Sequence, residues 1–137
     1  MTDVILTLPL SFKHMGKRGL EGWIDEGDPA GSEWTGNYWD FTTGGRKPKI
    51  KPGERVYICH AGKLIGYAPL VELVADEKNK GFYYLNFIRG GDAVAVTIGE
   101  EVKGFRGWRY RWWDYEDEIA YPNWHNGFIK PEQKTMF

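Results

Sequence analysis

Disulfide chemistry is closed to a chain with a single cysteine, Cys59. No intrachain bridge can form, and such sparing use of cysteine points to a reducing, cytoplasmic setting. No apolar run approaches the roughly 20 residues that span a bilayer as a helix, so no membrane partner is expected. The opening MTDVILTLPLSF lacks a basic n-region and a small-residue cleavage site, which argues against a signal peptide. Charge of one sign is not in excess either: 18 Lys and Arg stand against 19 Asp and Glu, a net −1. That balance disfavours a globally basic, non-specific nucleic-acid binder and leaves room for a local basic surface. Metal-ligand spacing is missing. His14, His60 and His125 are scattered. Cys59 and His60 are neighbours that a strand would point to opposite faces, which is poor geometry for one metal or for a Cys–His catalytic pair. There is no P-loop, no dinucleotide fingerprint and no GxSxG, so neither a metal nor a cofactor is expected. EEVKG and DYEDE offer carboxylates, a weak signal for a glycosidase pair.

What is present in quantity is aromatic. Phe, Trp and Tyr make up 16% of 137 residues, with seven Trp, and there are 18 Gly. That mixture favours short strands and tight turns in one domain spanning 1–137, whose last stretch, 125–137, reads as an irregular tail. DVILTLPL predicts a first strand, and SFKHMGKRGLEGWID a short helix starting from an N-cap at Ser11. NYWDFTT is a strand candidate, followed by the basic, Pro/Gly-rich connection GGRKPKIKPGE. RVYICH and LIGYAPLVELV predict a hairpin about the turn AGK, and DEKNKG reads as a loop. FYYLNFIR and DAVAVTI predict two further strands flanking Gly90 and Gly91, the second buried on both faces. The expected fold is therefore mostly β (α+β): a small mixed barrel of about six or seven strands with one or two short flanking helices, closure solving the edge problem.

GFRGWRYRWWDYED, Gly104–Asp117, concentrates arginine among aromatic rings. Read with a period of two, it sends Trp108, Tyr110 and Trp112 to a core face and Arg109, Arg111 and Trp113 to the other. Two readings of that second face stand. The arginines pair with Asp114, Glu116, Asp117 and Glu118, or they meet a ligand. Arginine grips phosphate bidentately and stacks on rings, and aromatics stack on bases, so the ligand reading is single-stranded nucleic acid or a flipped nucleotide. Stacked tryptophans also suit sugars, but the arginines favour an anionic ligand. A second basic run, Arg46, Lys47, Lys49, Lys51 and Arg55, would extend the surface.

YWDFTT…KIKPGERVYICHAGKLIGYAPLVELV resembles the core of the PUA-like superfamily, which includes the ASCH and EVE domains. Their K-x-G-D-x-V strand is matched by Lys51, Gly53 and Val56, with Glu54 where Asp is usual; Gly66, Ala68 and Leu70 fit the return strand. The likeness is good over roughly residues 38–74 and elsewhere rests on strand count. It implies a small mixed β-barrel with flanking helices that binds RNA or modified nucleobases in a cleft beside the barrel, so the expected partner is RNA, single-stranded or modified DNA, or a nucleotide. GKRGLEGW at Gly16–Trp23 resembles the ASCH signature G-x-K-x-x-E-x-R at Gly16 and Glu21, with Arg18 in place of Lys and Trp23 in place of Arg. A guanidinium does not readily deprotonate to act as a base or nucleophile, which weighs against the hydrolase activity on modified nucleosides found in some relatives. The ligand-binding residues so expected are Arg18, Glu21, Trp39, Thr42, Thr43, Arg46, Arg106, Arg109, Arg111 and Trp113. The alternatives are an ASCH-type hydrolase and a protein-interaction module of a phage or mobile element.

Overall fold

The structure is a computed structural model that describes residues 2–14, 16–27, 42–90 and 93–121. Val4, Ile5 and Leu6 are fully shielded from solvent and form strand β1 (Val4–Thr7). A strand buried on both faces needs apolar side chains at consecutive positions. Val4 and Leu6 enter one core cluster, with Val56, Ile58, Leu85, Phe87 and Trp23. Ile5 enters a second, with Tyr57, Cys59, Val96 and Trp113.

Around β1 the chain lays down β2 (Lys13–His14), β3 (Lys17–Arg18), α1 (Gly19–Gly27), β4 (Thr42–Gly45), β5 (Arg55–His60), β6 (Lys63–Asn79), β7 (Phe82–Arg89), β8 (Val96–Thr97), β9 (Trp108–Tyr110) and β10 (Ile119–Ala120). Six strands form a mixed sheet in the order β4-β7-β6-β5-β1-β9. β1 runs parallel to β5 and antiparallel to β9. The sheet curls into a half-barrel, so the mostly β, barrel-like expectation is met. β8 with β10 and β2 with β3 make small two-stranded sheets.

The K-x-G-E motif has a clear local role. Gly53 sits at φ 91°, a left-handed conformation that suits glycine, and its N–H donates to the Leu70 carbonyl at 2.8 Å. The Glu54 carboxylate closes the turn by accepting from Lys51 N at 2.8 Å and from the Thr2 hydroxyl at 2.6 Å; the Thr2 hydrogen bond is the main cause of its lowered pKa. Gly66 answers to packing. A Cβ there would lie 2.6 Å from the Val94 carbonyl oxygen and 2.8 Å from the Trp23 ring, so glycine is what lets α1 seat its indole on β6.

Three expectations need correction. The helix starts at Gly19, not Ser11. Gly16 at φ 81° breaks the expected helix, and the residues before Gly19 form the β2–β3 hairpin instead. The polar DEKNKG is mostly strand, because β6 continues to Asn79 against β7 and turns only at Lys80–Gly81. Its polarity reflects an arm exposed at its outer end. DAVAVTI supplies only the short β8 and an isolated bridge from Val94 to Tyr67; Ala93, Ala95, Val96 and Ile98 are buried, as that run suggested. Of NYWDFTT, only Thr42 and Thr43 fall in β4; the part before them, like the 125–137 tail, lies outside the described residues.

Candidate nucleic-acid interface

The two edge strands of the half-barrel, β4 and β9, come close without a backbone ladder between them. Side chains close the seam. Trp108 Nε1 donates to the Arg46 carbonyl at 2.9 Å, and the Tyr110 hydroxyl accepts from Lys49 N at 3.0 Å. Near one end Gly107 approaches Gly44, a Cβ there lying at an ordinary 3.7 Å from the Gly44 carbonyl, and its φ of 76° is what suits glycine. The closure brings together two basic runs about 60 residues apart in the chain. The Arg46 guanidinium lies 5.1 Å from the centre of the Trp108 ring.

Two clefts follow the seam. One, of about 380 Å³, is lined by Thr2, Asp3, Arg46, Lys47, Lys49, Tyr110 and Arg111. The other, of about 710 Å³, is lined by Thr7, Pro9, Thr43, Gly44, Phe82, Phe105, Arg106 and Gly107. Arg109 leaves β9 on the opposite face from Trp108 and covers the Phe105 ring at 4.5 Å, which places it beside the second cleft. Arg46, Lys47, Lys49, Arg106 and Arg109 are all exposed, and among the described residues none of them forms an ion pair.

The acidic run after β9 does not neutralise those arginines. Glu118, 1% exposed, faces inward and accepts from Arg55 Nη1 at 3.0 Å, from Trp113 Nε1 at 2.9 Å and from the Tyr57 hydroxyl. Arg55 is held between the rings of Tyr67 and Tyr115, at 4.2 and 4.3 Å. Asp3, also buried, accepts from Arg55 N at 2.8 Å, Arg111 Nε at 3.1 Å and the Tyr115 hydroxyl at 2.5 Å. This network ties the segment after β9 back onto β1 and β5. Burial, and then the bond to Asp3, push the Tyr115 phenol from its ordinary 10.0 up to about 12; burial and Glu118 raise Tyr57 further still. A raised phenol pKa means that the unfolded chain loses its proton first. The stability that this proton lends is complete below pH 10.0 and is lost as pH climbs toward about 12. Unfolding midpoints in urea are therefore expected to fall through that alkaline window, and Tyr115→Phe is expected to flatten the fall.

The expected site residues divide accordingly. Arg46 lines the first cleft of the seam, Thr43 and Arg106 line the second, and Arg109 lies beside the second. Two members of the expected binding face are engaged within the fold, although Arg111 also lines the first cleft. Trp113 is only 5% exposed and belongs to the second core cluster, and Arg111 is held by Asp3 and by the Trp113 carbonyl. Trp112, assigned by alternation to the core, is 46% exposed. The cause is local: the β1–β9 ladder ends at Tyr110 opposite Val4, one more backbone bond joins Arg111 N to the Asp3 carbonyl at 2.9 Å, and past Arg111 no ladder enforces a period of two. Arg18 and Glu21 are exposed on β3 and α1 and line neither cleft. Trp23, at the signature's arginine position, is buried with the Arg89 guanidinium 4.6 Å over its ring. Thr42 lies on β4, and Trp39 falls outside the described residues. Phe82 and Phe105 are the cleft residues that strand alternation did not single out. The glycines beside them, in TTGG and GFRG, were the available signal.

Among the described residues no group of three or more His, Cys, Asp and Glu could hold a metal ion, and no helix is long and apolar enough to cross a membrane. Comparison with protein-family models, with curated proteins and with solved structures finds no match to this chain.

Proposed function

We propose that this protein is a PUA-like module that binds single-stranded nucleic acid, RNA or DNA, or a nucleotide along the β4–β9 seam. The observation that carries the reading is that Arg46, Lys47 and Lys49 line one cleft of the seam and Arg106, with Arg109 beside it, the other, and that among the described residues no carboxylate is paired to any of them. Phosphates lie against these cations and supply affinity. A base, modified or flipped, enters the cleft between Phe82 and Phe105, where stacking is worth about 1–3 kcal/mol per base. A duplex presents no free base face to that cleft, so single strands are preferred.

The test is fluorescence anisotropy with labelled single-stranded RNA, single-stranded DNA and the matching duplex over a series of salt concentrations. Single strands are expected to bind more tightly than the duplex, with log K falling linearly against log salt. Binding of none of the three, or binding that ignores salt, removes the proposal.

A further inference from the structure

β6 is longer than its place beside β5 requires. On one side it pairs with β7 from Leu70 to Asn79, and Tyr67 bridges Val94 beyond that. On the other side β5 covers only Lys63 to Pro69, and Leu70 is closed by the backbone of Gly53 and Glu54. Past Leu70, among the described residues, no strand pairs with this outer edge. Backbone donors and acceptors of Val71–Asn79 therefore face outward at alternate residues, as a template for another strand.

The side chains along the edge carry a readable charge order. Glu72, Val74, Asp76 and Lys78 are all exposed, Val74 at 41%. Lys78 shares the face of Asp76, since its Nζ lies 3.0 Å from the Asp76 carboxylate and 5.1 Å from the ring of Tyr84, the cross-strand partner of Asp76. Register shifts at Val71 and Lys78 bound a regular ladder from Glu72 to Glu77.

We propose that this edge pairs antiparallel with the same edge of a second copy of the chain, about a two-fold axis at Ala75. Paired residues of an antiparallel ladder share a face, so a two-fold axis normal to the sheet must centre on one residue. Centred on Ala75, it sets Glu72 opposite Lys78 of the second copy, and by symmetry does so twice. Val74 then meets its own copy diagonally across the axis. Centred on Val74, it would set Glu72 against Asp76 twice; centred on Asp76, it would set Asp76 against itself. Opposed like charges are destabilising, so of these three registers charge favours the one centred on Ala75. The contact is isologous and consumes the edge on both copies, which gives a closed dimer and not a fibre.

This proposal stands apart from the seam and does not depend on nucleic-acid binding. Its test is analytical ultracentrifugation of the full chain over a wide concentration range. The sedimenting mass is expected to double at high concentration. Glu72→Lys and Lys78→Glu are each expected to abolish the doubling, and the two together to restore it, because the swap re-forms both pairs with their signs exchanged. That rescue also separates a lost interface from a misfolded arm. A monomer at every concentration overturns the proposal and leaves the edge to a partner of another kind. A dimer that survives both single variants, or a swap that stays monomeric, overturns it too.

Discussion

Replacing Glu118 by alanine is expected to lower the free energy of unfolding by about 3–5 kcal/mol, the cost of removing one partner from a buried ion pair. The substitution removes the acceptor of Trp113 Nε1 and of the Tyr57 hydroxyl, and leaves Arg55 Nη1 with the Tyr57 hydroxyl oxygen alone. Arg55 is the costliest, because its charge stays between the rings of Tyr67 and Tyr115. Glu118→Gln separates charge from shape. It keeps the volume and an acceptor oxygen for the indole while removing the negative charge, so its loss is expected to fall below that of alanine. Urea denaturation followed by circular dichroism reads both. The midpoint falls while the slope holds if the native network alone has changed. A loss of under about 1 kcal/mol would be the behaviour of an exposed pair and would contradict the inward placement of Glu118.

How much of this was legible in the sequence differs from element to element. β1, β5 and β7 were readable because burial fixes their pattern: Val4–Leu6 is continuous where both faces are covered, and RVYICH and FYYLNFIR carry strand-forming residues between turns. β6 was readable only to the point where it leaves the core. Beyond Val74 its side chains are mostly exposed, and a polar strand with an unpaired edge looks like a loop to any argument based on hydrophobic pattern. The stretch after Tyr110 failed for a different reason. Strand alternation holds only while a ladder lasts, and the ladder stops at Val4, so Trp112 and Trp113 exchanged the environments that a period of two gave them.

The site was legible in kind but not in composition. Two basic runs and their aromatic neighbours stood out, yet no local pattern shows that β4 and β9 are opposite edges of one sheet, and that topology is what unites Arg46 with Trp108. Nor does the chain advertise which carboxylates serve which arginines. The acidic run next to Arg111 looked like its partner, whereas Asp3, 108 residues away, holds it. Long-range pairing of this kind is decided by the sheet order and by the burial of Asp3, neither of which has a local signature.

The sheet order makes a strong demand on binding. Converting Arg46, Arg106 and Arg109 together to alanine is expected to weaken binding of single-stranded nucleic acid by about two decades at about 0.1 M salt, because each phosphate contact contributes about 0.7 to the slope of log K against log salt. The slope itself is expected to fall by about 2, which identifies the loss as electrostatic. Stability provides the internal control. All three side chains are exposed, and the carbonyl of Arg46 that receives Trp108 Nε1 is backbone. The fold therefore forfeits only the stacking of guanidinium on ring, about 0.5–1 kcal/mol at each exposed site, at Trp108 and at Phe105. Arg18→Ala tests the rival placement of the site at the β2–β3 hairpin and α1. If that end of the molecule holds the nucleic acid, the single variant loses affinity and the seam triple retains it. If the seam holds it, the triple loses both affinity and salt dependence while Arg18→Ala binds as the unaltered protein does.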